Sequence, residues 1–361
     1  MKSKIGIVGC GNISGIYIDN LQRFEQTEVV ACADLDTARA RDVAASKQIP
    51  NSGSPEDLLS MPEVDIVVNL TVPKAHFQVG MAALEAGKHL YNEKPLTVER
   101  SDARRLLEKA REKGLRVGCA PDTFLGAGHQ TCRKLVDEGV IGEPIGATAF
   151  MQCHGHESWH PSPEFYYEQG GGPMLDMGPY YLTTLINLIG GVSKVAGMSR
   201  MTFPTRTITS EPKKGKIVPV ETPTHILGLL EFANGALAHI TTSFDVWSSN
   251  HGCIEVYGSE GSMIVPDPNW FGGQIWIRTS KHSDWEEISH SHPYPENARG
   301  LGVLDMALSI AAGESHRANG DLAFHVLDVM HGIVEASQGA RTITLESAVG
   351  KPQPMPTGGL G

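Results

Sequence analysis

The chain opens on an apolar run with β-branched residues, Lys4-Ile5-Gly6-Ile7-Val8, which breaks at Gly9-Cys10-Gly11-Asn12-Ile13-Ser14. That pattern predicts a strand feeding a glycine turn. Ile16, Leu21 and Phe24 then fit a short helix, and Glu28-Val29-Val30-Ala31-Cys32-Ala33 reads as a second strand ending at Asp34. The alternation continues down the chain. Residues 65–70 form a buried-strand run, 76–86 a helix stopped by Gly87, and 89–91 a short strand. Residues 101–113 read as an amphipathic helix with Ser101 as N-cap and Gly114 just past its end, and 116–119 as another strand. Such alternation calls for a parallel sheet covered by helices on both faces.

Near residue 122 the pattern changes. Residues 124–137 look helical, ended by Gly139 and Gly142. Then His225-Ile226-Leu227-Gly228-Leu229-Leu230-Glu231-Phe232 and Ala236-Leu237-Ala238-His239-Ile240-Thr241 flank Asn234-Gly235, the strongest short hairpin signal. A second turn is expected at Gly258-Ser259-Glu260-Gly261. Helices at about 302–313 and 321–339, a last strand at 342–345 and a loose Pro/Gly-rich tail from Lys351 complete the pattern. The expected fold is α/β: a doubly wound parallel sheet in residues 1–122, then an α+β domain with an open, mostly antiparallel sheet in residues 123–361.

Composition narrows the function class. At 361 residues two domains are the natural expectation, and 40% hydrophobic with 20% charged residues suits a globular chain. The net charge of -11 and the lack of any sizeable Lys/Arg cluster argue against nucleic acid or an anionic membrane as partner. No apolar run is long enough to span a bilayer, and the first strand begins where a signal peptide would lie, so a cytoplasmic location is expected. Six cysteines without CxxC spacing point to reduced core residues rather than disulfides or zinc.

The glycine turn is the first candidate site. Gly9 allows a tight turn at positive φ, Gly11 lets a pyrophosphate approach the backbone, and Asn12 and Ile13 lead into a helix whose positive end faces the phosphates. Ser14 stands where this fingerprint normally has Gly or Ala, and should loosen helix–strand packing slightly. Asp34, about twenty residues beyond the loop, can accept from both ribose hydroxyls and would repel a 2′-phosphate, which favours NAD over NADP. Arg39 and Arg41 downstream soften that preference, and Asp36 reads as a helix N-cap.

Two further segments sit at the same carboxyl edge of the sheet: Thr71-Val72-Pro73-Lys74-Ala75-His76 and Asn92-Glu93-Lys94-Pro95-Leu96. Lys94, kept out of helix by Pro95, is placed to donate a proton or a charge-assisted hydrogen bond to an alkoxide; the plainer reading is a solvated lysine. A third segment runs Gly170-Gly171-Gly172-Pro173-Met174-Leu175-Asp176-Met177-Gly178-Pro179-Tyr180 into an apolar helix. Asp176 and Tyr180, four apart, share a face if the helix covers both, which puts Pro179 in its first turn. The alternative is that Asp176 caps the helix and Tyr180 only packs.

These segments resemble the glucose–fructose oxidoreductase, inositol dehydrogenase and rhizopine catabolism (Gfo/Idh/MocA) family over nearly the whole chain. Glu93-Lys94-Pro95 matches its EKP motif, and residues 170–180 match GGG-x-x-x-D-x-G-x-H except that Tyr180 replaces the usual His. The resemblance implies a Rossmann domain, a C-terminal α/β domain whose open sheet mediates a homodimer or homotetramer, and NAD(P)-dependent oxidoreduction of a secondary alcohol in a sugar, glycoside or cyclitol. It implies cofactor contacts at Gly9, Gly11, Asn12, Ile13, Asp34, Thr71, Pro73, His76, Glu93 and Lys94, and catalysis by Lys94, Asp176 and Tyr180. A phenol of ordinary pKa near 10 is a poor base, and a neighbouring Lys94 ammonium would favour its phenolate; Asp176 could instead accept from the substrate hydroxyl and orient Lys94. For the substrate, Trp159 offers a stacking face, and His154 and His156 offer hydrogen bonds beside Lys94, Asp176 and Tyr180. A metal at His154, His156 and His160 is the sharp alternative and is not expected; a histidine-rich packing loop is the bland one. A dihydrodiol or other alcohol dehydrogenase, or a non-catalytic NAD or sugar sensor on the same scaffold, are the competing functions.

Overall fold

The computed structural model describes residues 2–360 and divides into two compact units. The first comprises Met1–Ala127, His292–Phe324 and Met355–Gly361, and the second Gly128–Ser291 and His325–Pro354. The first unit therefore recruits a segment beyond residue 291 that pattern alone assigned to the second domain.

In the first unit, β1 (Ser3–Val8), α1 (Ser14–Arg23), β2 (Thr27–Ala33), α2 (Thr37–Lys47), β3 (Asn51–Gly53), α3 (Pro55–Leu59), β4 (Ile66–Asn69), α4 (His76–Glu85), β5 (His89–Asn92), α5 (Arg100–Lys113) and β6 (Val117–Cys119) follow in order. The six strands are parallel and lie in the order β3-β2-β1-β4-β5-β6. β4 is buried along its whole length, as a strand covered on both faces must be. The chain reverses direction across the sheet between β1 and β4, and there the carboxyl ends open a crevice. Register aligns the strand ends: Val8 pairs with Asn69, and Asn69 with Asn92. Gly9, Leu70 and Glu93 thus leave the sheet at one edge.

The second unit holds α6 (Ala127–Asp137, shared at its first residue with the first unit), β7 (Pro144–Gln152), α7 (Gly172–Ile189), β8 (Val192–Arg200), a small hairpin of β9 (Thr205–Thr207) and β10 (Ile217–Pro219), β11 (His225–Phe232), β12 (Leu237–Ser243), β13 (Ile254–Gly258), β14 (Gly261–Val265), β15 (Ile275–Thr279) and β16 (Glu286–Ile288). After them come α8 (Leu301–Ala312) in the first unit, α9 (Gly320–Gly339) and β17 (Ile343–Thr344). The nine-stranded sheet runs β16-β15-β14-β13-β7-β12-β11-β8-β17, antiparallel except for β7 beside β12. Both expected hairpins form, at Asn234-Gly235 and at residues 258–261. Along β11, buried Ile226, Gly228 and Leu230 alternate with Leu227 and Leu229, which face outward.

Several expectations change. Ser101 lies inside α5, whose N-cap is Glu99 without a side-chain bond. The run 124–137 is broken: Thr123–Leu125 is a single 3-10 turn, Gly126 is extended, and α6 begins at Ala127. The tail from Lys351 is tied down, with Lys351 3.2 Å from Asp137, the Pro352 carbonyl accepting from Arg133 at 2.8 Å, and Met355 buried. Backbone carbonyls with partners override a Pro/Gly-rich composition. Among the described residues no helix is long and apolar enough to cross a membrane.

Candidate active site

The glycine loop is built from backbone. Gly9 has φ of 99°, and a Cβ there would meet the Leu70 carbonyl carbon at 2.7 Å and the Thr71 nitrogen at 2.9 Å. Gly11 is the opposite case: nothing lies within 4 Å of a Cβ, so its backbone faces open space. Ile13 caps α1 without a side-chain bond; the Ser14 N–H turns back to the Gly11 carbonyl at 3.1 Å, and no side chain caps the first-turn N–H groups after it. Ser14 is buried, and its hydroxyl donates to the Gly11 carbonyl at 2.7 Å. The departure from Gly or Ala therefore ties the loop to its helix rather than loosening it. Asp34 is bonded back to the loop, its Oδ2 accepting from the Cys10 N–H and its Oδ1 from the Asp36 N–H, both at 2.9 Å. Each oxygen keeps a further lone pair for a ribose hydroxyl. Arg39 lies 3.5 Å from Asp34, and Asp36 caps α2 as expected. An open glycine, an uncapped helix start and a tethered carboxylate are the groups a dinucleotide requires.

Beneath this edge lies a buried amide network that sequence reasoning missed. Asn69 donates to the Asn92 side chain at 3.0 Å and accepts from the Thr71 hydroxyl at 2.6 Å, while Asn92 donates to the Leu96 carbonyl at 2.9 Å. It joins the turn after β4 to the turn after β5. Its only signal was a polar residue ending each of two apolar strands. His76 belongs to the same scaffold and corrects an expectation. Fully buried, it has Nδ1 2.6 Å from the Pro95 carbonyl and Nε2 3.0 Å from the Thr71 carbonyl, so neither nitrogen is open to a ligand. Burial holds its pKa below the usual imidazole value, outweighing the two carbonyls. Its ring braces two turns. Glu93 likewise supports: Oε1 accepts from the Tyr17 hydroxyl at 2.7 Å and Oε2 from the Lys94 N–H at 2.9 Å, fixing the turn from which the half-buried Lys94 side chain leaves. Pro73 opens a single 3-10 turn at the same edge.

In the second unit, α7 begins at Gly172, so Asp176 stands in its second turn and Pro179 in its interior. Neither the first-turn proline nor a capping Asp176 survives. Pro179 forfeits the bond to the Leu175 carbonyl and its ring crowds that carbonyl, a cost that the long buried apolar run of the helix offsets. Leu175, Asp176 and Met177 are half-buried while the rest of this stretch, including Tyr180, is buried. Asp176 is met by His156, whose Nε2 donates to Oδ2 at 3.2 Å. The His156 ring is enclosed by Tyr166, Phe244 and Trp159, with centroids at 4.2, 4.7 and 5.2 Å. Carboxylate and imidazole together can orient and exchange a proton with a substrate hydroxyl. His154 points elsewhere, stacking on Trp247 with centroids 3.4 Å apart, and the His160 Nδ1 accepts from the Ser162 N–H. The triple glycine packs on the chain itself, since a Cβ at Gly171 would lie 2.4 Å from the Phe165 carbonyl oxygen.

The loop carrying these histidines is anchored by a buried ion cluster, also absent from the sequence reading. Arg206 bonds Glu157 at 2.9 Å, the Phe244 carbonyl at 2.8 Å and Asp245. Tyr167 donates to Glu157, and Thr224 to Asp245 at 2.7 Å. Burial, then the Glu157 bond and charge, push the Tyr167 phenol far up, so it stays protonated as a donor.

The NAD-binding Rossmann-fold model of the GFO/IDH/MocA oxidoreductase family matches residues 3–120, and the family's C-terminal domain model matches residues 129–264. The chain is 34% identical over 292 residues to inositol 2-dehydrogenase 3 of Saccharopolyspora erythraea, covering 80% of each chain. The chain belongs to the Gfo/Idh/MocA family. This member is also 30% identical over 270 residues to 1,5-anhydro-D-fructose reductase of Ensifer adhaerens, 72% of this chain and 74% of that one. Its fold matches levoglucosan dehydrogenase in complex with NADH at a TM-score of 0.83, over 96% of this chain and 100% of that chain, with 19% identity. The family's description makes it an NAD-binding oxidoreductase.

Proposed function

We propose that this Gfo/Idh/MocA protein is an NAD-dependent dehydrogenase of a secondary alcohol in a sugar or cyclitol. The carrying observation is the aligned carboxyl edge of the first unit, where an open glycine loop leaves β1 and the braced Lys94 turn leaves β5, on either side of β4. A cofactor loop alone binds; a lysine held beside it serves a reaction. The relatives' names supply the substrate class, an inositol and an anhydro sugar.

NAD, when bound, would supply the acceptor for the hydride of the carbinol carbon. Gly11 and the start of α1 would hold its phosphates and Asp34 its ribose, the carboxylate favouring NAD over NADP. Thr71, Pro73 and the Glu93-supported turn, at the same edge, would hold the nicotinamide half. Lys94 offers a charge-assisted hydrogen bond to the oxygen that loses its proton. Within the second unit, Asp176 is the carboxylate that could accept a hydroxyl proton, His156 holds it in place, and Tyr180 stands where the family motif carries His. Trp159 offers its exposed face to the ring.

The outward face of the nine-stranded sheet carries Met198, Leu227, Leu229 and Leu237, each more than two-fifths exposed. A patch of this kind is an interface, and we assign it to a second copy of the chain. Six free thiols suit a reducing cytoplasm.

The test is the near-ultraviolet absorbance of NADH during incubation with NAD and a panel of inositols, pyranoses and anhydro sugars. A rise with at least one polyol is expected. Flat traces with every candidate, while NAD binding is measurable by titration, would replace the enzyme with a sensor.

A further inference from the structure

His154 and His156, two residues apart, serve different places. His156 meets Asp176, while His154 lines a separate cavity of about 620 Å³ in the second unit, together with Trp247, Phe203, Arg206 and Thr207. Asp176 does not line it. The volume lies in the range of small-molecule sites, about 300–1,000 Å³.

The chemistry of the walls selects the ligand. Trp247 is 82% exposed, with one face on His154 and the other free. Ser158, Thr205 and Thr207 present exposed hydroxyls without hydrogen-bond partners among the described residues. Arg206, 5% exposed in its side chain, has a buried Nε without a partner, and the buried His154 Nδ1 also lacks one. The single Arg206 charge is outnumbered by Glu157 and Asp245, so the cavity offers no positive charge to a phosphate or carboxylate. A flat aromatic face beside exposed neutral hydroxyls suits an uncharged polyhydroxylated ring.

We infer that this cavity receives a second sugar unit, so that the preferred substrates are glycosides or disaccharides rather than free monosaccharides. The inference rests on the sugar-dehydrogenase reading for its reacting ring. Gly155 and Glu157, the chain neighbours of His156 on either side, both line the cavity, so it flanks the segment whose imidazole meets Asp176. The reacting ring sits at Asp176 and the next ring on Trp247.

The experiment titrates the full chain with NAD present, using cellobiose, maltose, trehalose and melibiose against glucose and galactose, and follows binding by calorimetry alongside NADH formation. At least one disaccharide is expected to bind about tenfold more tightly than its monosaccharides, equivalent to about 1.4 kcal/mol. Trp247→Ala should erase that advantage through KM, leaving kcat and the monosaccharide affinity unchanged; Trp247→Phe should keep most of it. The substitution is at the surface, so folding is not at stake. No disaccharide advantage, an advantage that survives Trp247→Ala, or a Trp247→Ala protein that changes oligomeric state and treats all sugars alike would overturn the inference. Loss of NADH formation with every sugar, with the binding advantage intact, would fail the dehydrogenase reading and leave the subsite standing.

Discussion

The two units build their sites from different materials. In the first, the cofactor edge is mostly backbone: Gly9 presses on Leu70, Gly11 faces open space, and Asp34 is tied to the loop by main-chain N–H groups. In the second, the loop beside Asp176 is held by side chains, with Arg206 between Glu157 and Asp245. A backbone-built site is intolerant of an added Cβ. A charge-built site is intolerant of a lost partner.

The largest expected effect therefore belongs to the second unit. Arg206→Ala leaves two buried carboxylates without their cation and should cost about 3–5 kcal/mol of stability. Chemical denaturation measures it; a loss under 1 kcal/mol would show that the cluster does not anchor the loop. Next comes the pH dependence of Asp122, a buried carboxyl that accepts from the Gly300 and Gly302 N–H groups at 2.8 and 3.0 Å. Burial pushes its pKa up to about 6, against the lowering effect of those bonds and of Arg299. The folded form then holds its proton where the unfolded chain has lost it, so Asp122 contributes stability at low pH that disappears as pH rises from about 4 to about 6. Asp122→Asn keeps an acceptor and cannot ionise. It should be more stable than wild type by about 3 kcal/mol at neutral pH, with the gap closing below about pH 4. Parallel pH–stability curves for both proteins would contradict this.

The glycine pair sharpens the comparison at smaller cost. Gly9→Ala must place a Cβ at positive φ against the β4 turn and should lose about 1–3 kcal/mol of stability along with NAD binding. Gly11→Ala meets nothing in the protein. Its melting temperature should match wild type while NAD binds at least about tenfold more weakly, a loss of about 1.4 kcal/mol. Equal effects of the two substitutions, in either assay, would break the distinction between a turn glycine and a ligand-facing one.

The same contrast explains what was legible in the sequence. The glycine loop, Asp34, the EKP turn and the Asn234-Gly235 hairpin are short patterns whose partners lie within about thirty residues or whose local geometry is dictated by one residue type. Arg206 binds Glu157 from 49 positions away, in a Thr-Arg-Thr strand with nothing to mark it. Trp247 sits in a loop, and its partner His154 had been grouped with His156 by proximity in sequence alone. His76 matched the family position at the sheet edge, yet burial turned its ring inward. Ser14 shows the reverse: a departure from the fingerprint that a single hydroxyl bond to Gly11 makes useful.

The central claim is that a cofactor edge built for NAD carries, in Lys94, a group that serves the chemical step. Lys94→Ala tests it most directly, with NAD affinity and turnover measured on the same protein. NAD should bind within about twofold of wild type, while turnover of the best polyol falls by at least about 100-fold, the scale of a lost acid–base or charge-stabilising group. Near wild-type turnover, or loss of NAD binding in step with activity, would contradict it.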